Sequence, residues 1–382
     1  MGRNNNKRHL ALQILFLTIV VIVLFFGLRP KDWPISNNIR CLPGENSLSF
    51  RNPSIAYVDD VRIFTNKNHS DEFTLQLVVS PEKLVRRGFR PILTLHDGDD
   101  SHQLAIWHWG ASVIVMNGDD YDYSKKSPRI TARDALTPGN PSFITVTSNN
   151  LGSRLFINGS LANEMNNWKI TIPHAGRKLR LTLGNSIYGK HGWDGEIFGL
   201  SLHRNAFSPE RVKYQYDKWL SQQVFVPEPK DDLVFLYTFR DCDDNFIPEQ
   251  TGRNQPLLIP ARPIMIKKKI LSPPWNNFYS SSSFFIDALL NLIGFIPLGA
   301  VTYCWLQQLY SLSRRHAALA TVLCCFAISL SMELLQIWIP GRSSTLLDLI
   351  LNTLGAWLGV IFLDIIRVKC PNFYLRNFLR PS

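Results

Sequence analysis

Four apolar runs constrain this chain more than any other feature. They lie at Leu10–Leu28, Phe284–Leu306, Ala317–Ile339 and Thr345–Ile366. A helix rises 1.5 Å per residue, so about 20 apolar residues cross the ~30 Å hydrocarbon core of a bilayer. Each run is long enough, and together they predict an α-helical four-helix transmembrane bundle. The last two hold polar groups where hydrocarbon disfavours them: Glu333, Gln336, Arg342, Asp348 and Asn352 sit in or beside them, around a Pro340-Gly341-Arg342 turn. An ionisable group at a bilayer centre costs about 2.5–3.5 kcal/mol on insertion scales.

The formal charge is +11. Its distribution points to a membrane rather than to nucleic acid. Basic residues gather in the leader (residues 1–9), at Arg314-Arg315 and in the tail (367–382), each beside an apolar run. Cytoplasmic loops carry this excess. Four crossings then leave both termini cytoplasmic and place the insert after the first helix, roughly 250 residues, outside. Lys267–Lys269 falls on the opposite side, which a long translocated segment tolerates. The first run reads either as a cleaved signal peptide or as an uncleaved anchor. Its length, and the absence of a small-x-small site before GLRPKDWP, favour the anchor. No zinc spacing and no Gly-rich phosphate loop is present.

This topology divides the six cysteines. Cys304, Cys324 and Cys325 read as small apolar residues of membrane helices, and Cys370 falls on the reducing side. Cys41 and Cys242 lie outside, near the two ends of the insert. They form a disulfide closing a loop of about 200 residues, or are two unrelated buried thiols.

The insert, over about 41–262, reads as short strands between turns. FTLQLVVSP, RPILTLHDG, HQLAIWHWG, SVIVMNG, RKLRLTLGN and LVFLYTF are rich in β-branched and aromatic residues, and Asn158-Gly159 suits a tight hairpin. One helical stretch, SPERVKYQYDKWLSQQ, interrupts them. The pattern predicts an all-β sandwich or jelly roll. The strings FITVTSNNLGSRLFINGSL and LTLGNSIYGKHGWDGEIFGLSLHRNAFSPERV, with Trp193-Asp194-Gly195-Glu196-Ile197 before a strand, resemble the laminin G-like, concanavalin A-like sandwich. That fold hosts glycan binders, protein binders and spacers, so the resemblance implies a glycan or protein ligand without choosing one. Asp97, Asp99, Asp100, Asp119, Asp120 and Asp122 are candidates for calcium, and Trp107, Trp109, Tyr121 and Tyr123 for stacking on sugar rings. The alternative is solvated turns and core tryptophans. No other cofactor is expected.

Two membrane runs share the pattern Asp-x3-Asn-x2-Gly: Asp287, Asn291, Gly294 and Asp348, Asn352, Gly355, the second extended by Gly359. Steps of four and three return to one helix face. Ser329, Glu333 and Gln336 repeat the spacing on the run between. The first run carries only Gln13 and Thr18. Glu333 precedes Ile339 by six residues, about 9 Å of helix, so all three carboxylates fall in the outer part of the bilayer near Arg342. The glycines are expected to let helices approach closely. DALLNLIGFIPLG, ELLQ and PGRSSTLLDLILNTLGAWLG, within 284–366, resemble the VanZ-like family. This family of small bacterial membrane domains takes its name from a protein linked to teicoplanin resistance. The resemblance implies a bacterial inner-membrane envelope protein and supplies no reaction. The chain departs from the family by placing a β-sandwich after its first helix.

Three roles stay open for Asp287, Asn291, Glu333, Gln336, Arg342, Asp348 and Asn352. They can fix bundle geometry as a purely structural anchor, with Arg342 neutralising a carboxylate. They can bind an amphipathic lipid-linked cell-wall or polysaccharide intermediate from the outer leaflet, with Arg342 on its phosphate or carboxylate. They can form a membrane-embedded enzyme acting on such a lipid, although no complete nucleophilic or metal constellation is visible. The topology is tested by reporter fusions after Asp241 and Arg315, which are expected to report opposite sides of the membrane; two cytoplasmic signals reject it.

Overall fold

The computed structural model describes residues 2–30, 36–63, 72–98, 103–118, 129–173, 178–187, 189, 191–224, 232–240, 242, 245–264, 270–273, 282–310, 312–339 and 342–369. The chain forms two compact units: Asp32–Lys267, and Met1–Lys31 together with Lys268–Ser382.

The first unit is a sandwich of two antiparallel sheets. One sheet runs β1 (Ile39–Leu42), β2 (Ser47–Phe50), β13 (Gly195–His203), β4 (Phe73–Pro81), β9 (Ser142–Asn149), β10 (Gly152–Ile157) and β11 (Ser160–Asn166), with β14 (Leu233–Thr238) also paired to β13. The other runs β15 (Phe246–Ile247), β16 (Leu257–Leu258), β3 (Ala56–Val61), β12 (Leu179–Leu183), β5 (Val85–His96), β6 (Leu104–Gly110), β7 (Ser112–Asn117) and β8 (Arg129–Ala132). Alternation along each strand builds the core, since successive side chains leave a strand on opposite faces. On β4, Phe73, Leu75, Leu77 and Val79 meet Leu93, Leu95, Leu104 and Ile106 of the facing sheet. Asn158 and Gly159 both take positive φ, 52° and 75°, as the tight β10–β11 turn requires.

Cys41 and Cys242 are disulfide-bonded, with Cα atoms 5.9 Å apart, inside the usual span for a bridge. Asn37 ties the same ends of this unit together. Its Nδ2 donates to the Pro260 and Ile55 carbonyls at 2.7 and 2.9 Å.

All nine residues of β4 are buried, so its outer face is covered too. The cover around Val78 is α2 (Pro209–Gln222), capped by Ser208, whose hydroxyl accepts from the Arg211 N–H. Trp219 packs on Val78, Phe143 and Leu236. Beneath this cover lies a polar row: Ser201 Oγ is 3.4 Å from Gln76 Oε1 and 3.2 Å from His203 Nε2. His203 is 3% exposed and packs at a tilt against Phe207, which carries the Arg211 guanidinium on its ring.

Trp107, read from the sequence as a candidate sugar platform, is 1% exposed and packs with Ala105, Ile114 and Met116. That placement selects the core alternative for Trp107, because a ring enclosed by protein presents no face to a ligand. Trp109 is exposed and stacked on Phe89. Asp99, Asp100, Asp119, Asp120, Asp122, Tyr121 and Tyr123 lie outside the described residues.

The second unit holds α1 (Gly2–Leu28), α3 (Ser282–Tyr310), α4 (Arg314–Gln336) and α5 (Leu346–Lys369). All four contain segments long and apolar enough to cross a membrane. Their outward faces are apolar, with Leu17, Phe25, Leu290, Leu323 and Phe362 exposed. That is the surface hydrocarbon solvates, and the chain is a membrane protein. Glycines bring α3 and α5 together. A Cβ at Gly355 would collide with the Leu292 carbonyl oxygen, one at Gly359 with that of Ile296, and one at Gly299 with that of Ala356. Gly294, expected on this seam, instead faces open space. The glycine α3 actually contributes is Gly299, five residues further on, because the seam follows the crossing of the two helices and not the local motif.

The polar row generates a pH dependence. Burial, and secondarily Arg211, hold His203 down at about 3, below the ordinary histidine value of 6.5. A depressed pKa stabilises the fold fully above the unfolded value, and that stability is lost as pH falls through the window from about 6.5 to 3 at about 1.4 kcal/mol per unit. The melting temperature of the sandwich transition is expected to fall across this window. His203→Gln is expected to flatten the slope; an unchanged slope counts against His203 as its source.

Candidate functional site

The polar residues of the membrane runs meet at the end of the bundle where α1 stops, α4 turns and α5 begins. The last four carbonyls of a helix have no partner within it, and hydrocarbon offers no water. At the C-terminus of α1, Gln336 Nε2 donates to the Gly27 carbonyl at 2.9 Å. Arg342 donates from Nε to the Arg29 carbonyl and from Nη2 to that of Phe26, both at 2.9 Å. A guanidinium at a helix C-terminus also opposes the negative end of the dipole.

The N-terminus of α5 has the opposite need and receives the opposite charge. Glu333 is fully buried, and its Oε2 accepts the Thr345 N–H at 2.8 Å. Thr345 Oγ1 then accepts the Asp348 N–H at 3.0 Å, forming the cap. The strip 270–273 braces this corner: the Ser272 N–H donates to the Ser344 carbonyl, and the Leu346 N–H donates back to the Ser272 carbonyl, each at 3.0 Å.

Two side-chain bonds cross between helices below the caps. Asn291 Nδ2 donates to Asp348 Oδ1 at 2.7 Å, joining α3 to α5. Asn352 Nδ2 donates to Ser329 Oγ at 2.9 Å, joining α5 to α4. Asp287 is exposed, and its charge bears on Arg342, as do those of Asp348, Glu333 and Arg29.

Six of the seven residues therefore divide the work, and Asp287 contributes only its charge. Gln336 and Arg342 serve α1, Glu333 serves α5, and Asn291, Asp348 and Asn352 tie helices together. Arg342's hydrogen bonds go to backbone carbonyls, because the end of α1 leaves those acceptors unmet, while its charge bears on the nearby carboxylates. Two of the seven keep an open acceptor, as does Gln307 Oε1 on α3. Glu333 Oε1 and Asn352 Oδ1 are buried without a hydrogen-bond partner, and both side chains are 0% exposed. A buried acceptor left unmet costs roughly 1–3 kcal/mol.

Sequence reasoning missed Thr345, the strip 270–273 and the Tyr303–Asp364 pair. Tyr303 is fully buried in α3, and its hydroxyl donates to Asp364 Oδ1 at 3.0 Å on α5. The signal was present as a lone aspartate in the apolar string VIFLDIIRV.

Residues 233–367 match the VanZ/LLP1 family model, a match that begins within β14. No curated protein matches the chain by sequence. Among solved structures, a protein described as carbohydrate-binding from Bacteroides ovatus is similar at 13% identity and a TM-score of 0.40, covering 57% of this chain and 61% of that one. The CBM40 domain of a Ruminococcus gnavus sialidase, bound to α2,3-sialyllactose, is similar at 12% identity and a TM-score of 0.33, covering 38% and 83%. Domain 4 of an extracellular arabinanase from Geobacillus stearothermophilus, in complex with arabinotriose, is similar at 16% identity and 0.36, covering 47% and 81%.

The capping geometry predicts the effect of removing Arg342. Arg342→Ala uncovers the Phe26 carbonyl and that of Arg29 just past α1, and is expected to cost the bundle about 1–3 kcal/mol. Arg342→Lys, with one donor group in place of a fork, is expected to recover part of it. Thermal denaturation in detergent, monitored by size-exclusion chromatography, reads both; equal stability of wild type and Arg342→Ala removes the capping role.

Proposed function

We propose, from the premise of a VanZ-like membrane region joined to a β-sandwich, that the protein works in a bacterial envelope. In this reading both termini are cytoplasmic, and the sandwich lies outside and recognises a glycan or a protein. The bundle binds the headgroup of an amphipathic envelope lipid entering from the outer leaflet. Lipid-linked cell-wall or polysaccharide intermediates are the candidates, since they join a long apolar chain to hydroxyl-rich sugars.

The observation that carries the lipid reading is the pair of buried open acceptors, Glu333 Oε1 and Asn352 Oδ1. A cap needs only one carboxylate oxygen, so capping accounts for Oε2 and leaves Oε1 unexplained. Both open atoms call for donors, and a headgroup hydroxyl or ammonium supplies them. Arg342 spends Nε and Nη2 on α1, so it adds positive field near the site more than a two-pronged grip on phosphate.

The second reading, a purely structural anchor, is favoured by the caps themselves. Asn352→Leu separates the two. In the structural reading the substitution loses the Ser329 bond and lowers bundle stability, while lipid occupancy per folded protein stays unchanged. If the acceptor binds ligand, occupancy of a co-purifying lipid in native mass spectra is expected to fall about tenfold, the equivalent of ~1.4 kcal/mol. Unchanged occupancy in Asn352→Leu, or no bound lipid in the wild type, defeats the lipid reading.

A further inference from the structure

The β-rich unit has a concave site of its own, away from every candidate ligand-binding residue of the sequence analysis. It is a cleft of about 390 Å³ on the outer face of the sheet that contains β13, where α2 does not reach. Glu196 stands at its floor. In register, Glu196 lies opposite Ser49 of β2 on one side and Ser80 of β4 on the other, so three polar side chains share one face of three adjacent strands. The next residue, Ile197, points into the core. Phe198 lines the cleft from the edge of the cluster formed with Trp219. Glu45, Arg51 and Glu82 complete its walls.

The walls are built rather than loose. The Asp194 carboxylate accepts the Asn52 N–H at 2.7 Å and pairs with Lys83 at 3.2 Å. The Glu82 N–H donates to the Asp194 carbonyl at 3.2 Å, and the Gly139 N–H to that of Pro81 at 3.3 Å. Four loops are thereby fixed around the opening. Ser80 is 6% exposed, lines the cleft, and makes no side-chain hydrogen bond among the described residues. It is a buried hydroxyl with its remaining surface directed into the cleft.

The charge is unbalanced. Glu45, Glu82 and Glu196 face one Arg51, which approaches Glu82 only to 4.0 Å. Burial, then the Glu45 charge, pushes the Glu196 carboxyl above its ordinary value; Arg51 opposes this and Glu82 adds to it. A bound cation relieves that repulsion. The carboxylates are too dispersed for a metal ion, since no group of three acidic, histidine or cysteine side chains able to hold one occurs among the described residues. An ammonium on a larger scaffold reaches them separately. The scaffold follows from the rest of the lining. The volume suits a small molecule, Ser49 and Ser80 offer hydroxyl partners, and Phe198 offers a ring face that attracts cations and stacks on sugars. The site lies on the face of paired strands, where no edge is open for an added peptide strand.

We infer that this cleft binds an amine-bearing saccharide through Glu196, with Glu45 and Glu82 supplying the surrounding field and Ser49 and Ser80 the hydroxyl contacts. The inference rests on the reading of the sandwich as a recognition domain and is independent of the lipid site. The test is calorimetric titration of the full chain in phosphatidylcholine nanodiscs with three probes: the tetrasaccharide of glucosamine, its fully N-acetylated counterpart, and spermine as an amine without a ring. The glucosamine tetrasaccharide is expected to bind at least about tenfold tighter than either of the others, a gap of ~1.4 kcal/mol. Glu196→Gln and, at the exposed rim, Glu82→Gln are each expected to weaken it, with the Cys41–Cys242 link and melting temperature retained as the check on folding. Equal binding of the N-acetylated probe, unaffected by both substitutions, overturns the inference and leaves glycan recognition standing elsewhere on the domain. Spermine matching the tetrasaccharide, or no binding of the glucosamine probe, overturns it outright.

Discussion

A helix that ends inside or at the edge of hydrocarbon must find partners for its last backbone groups, and the bundle is organised around meeting that demand. The carbonyls at the end of α1 are met by Gln336 and Arg342. The amide at the start of α5 is met by Glu333. The signs are complementary to the helix dipoles, with a cation at a C-terminus and an anion at an N-terminus. Charged groups that look misplaced in an apolar sequence thus sit where the backbone itself is polar. Their desolvation is offset by bonds that no apolar side chain supplies.

Close packing then sets what else this end of the bundle can hold. Gly299, Gly355 and Gly359 bring the α3 and α5 backbones together, and the Asn291–Asp348 bond locks the same pair of helices. Tyr303 and Asp364 bond across the same two helices on turns further from the caps. With α3 and α5 clamped, the open acceptors next to the caps lie on α4 and α5, at Glu333 and Asn352. The structural role and the proposed binding role are therefore not rivals for the same atoms. One oxygen of Glu333 caps a helix, and the other stays available.

The sandwich shows a similar division of labour on one sheet. Its inner face is a conventional apolar core. Its outer face is covered by α2 over the row containing Gln76, Ser201 and His203, and is open over Glu196, Ser49 and Ser80. Covered polar residues must find partners or stay neutral, as His203 does. Uncovered ones are free to meet a ligand. The reach of one amphipathic helix decides which residues fall into which group.

Much of this was legible from residues alone. Span length and hydropathy determine that four helices can cross a bilayer, because crossing depends only on rise per residue and apolar solvation. Alternation determines the strands, Asn158-Gly159 the hairpin, and Ser208-Pro209 the start of α2. The compartment argument selected Cys41 and Cys242, and the fold brings them together. The seven polar membrane residues were also marked in advance, by type and spacing. Their partners were not, because Gly27, Phe26 and Arg29 lie about 310 residues from Gln336 and Arg342, and a backbone carbonyl carries no sequence signature. Gly299 replaced Gly294 at the seam, and Trp107 turned inward, for the same reason: which face of an element is covered depends on what packs against it. The sequence by itself determined the elements and the chemistry they carry. Only the tertiary structure decided which of those groups complete a helix, which are sealed in a core and which remain open, since each outcome depends on contacts between segments far apart in the chain.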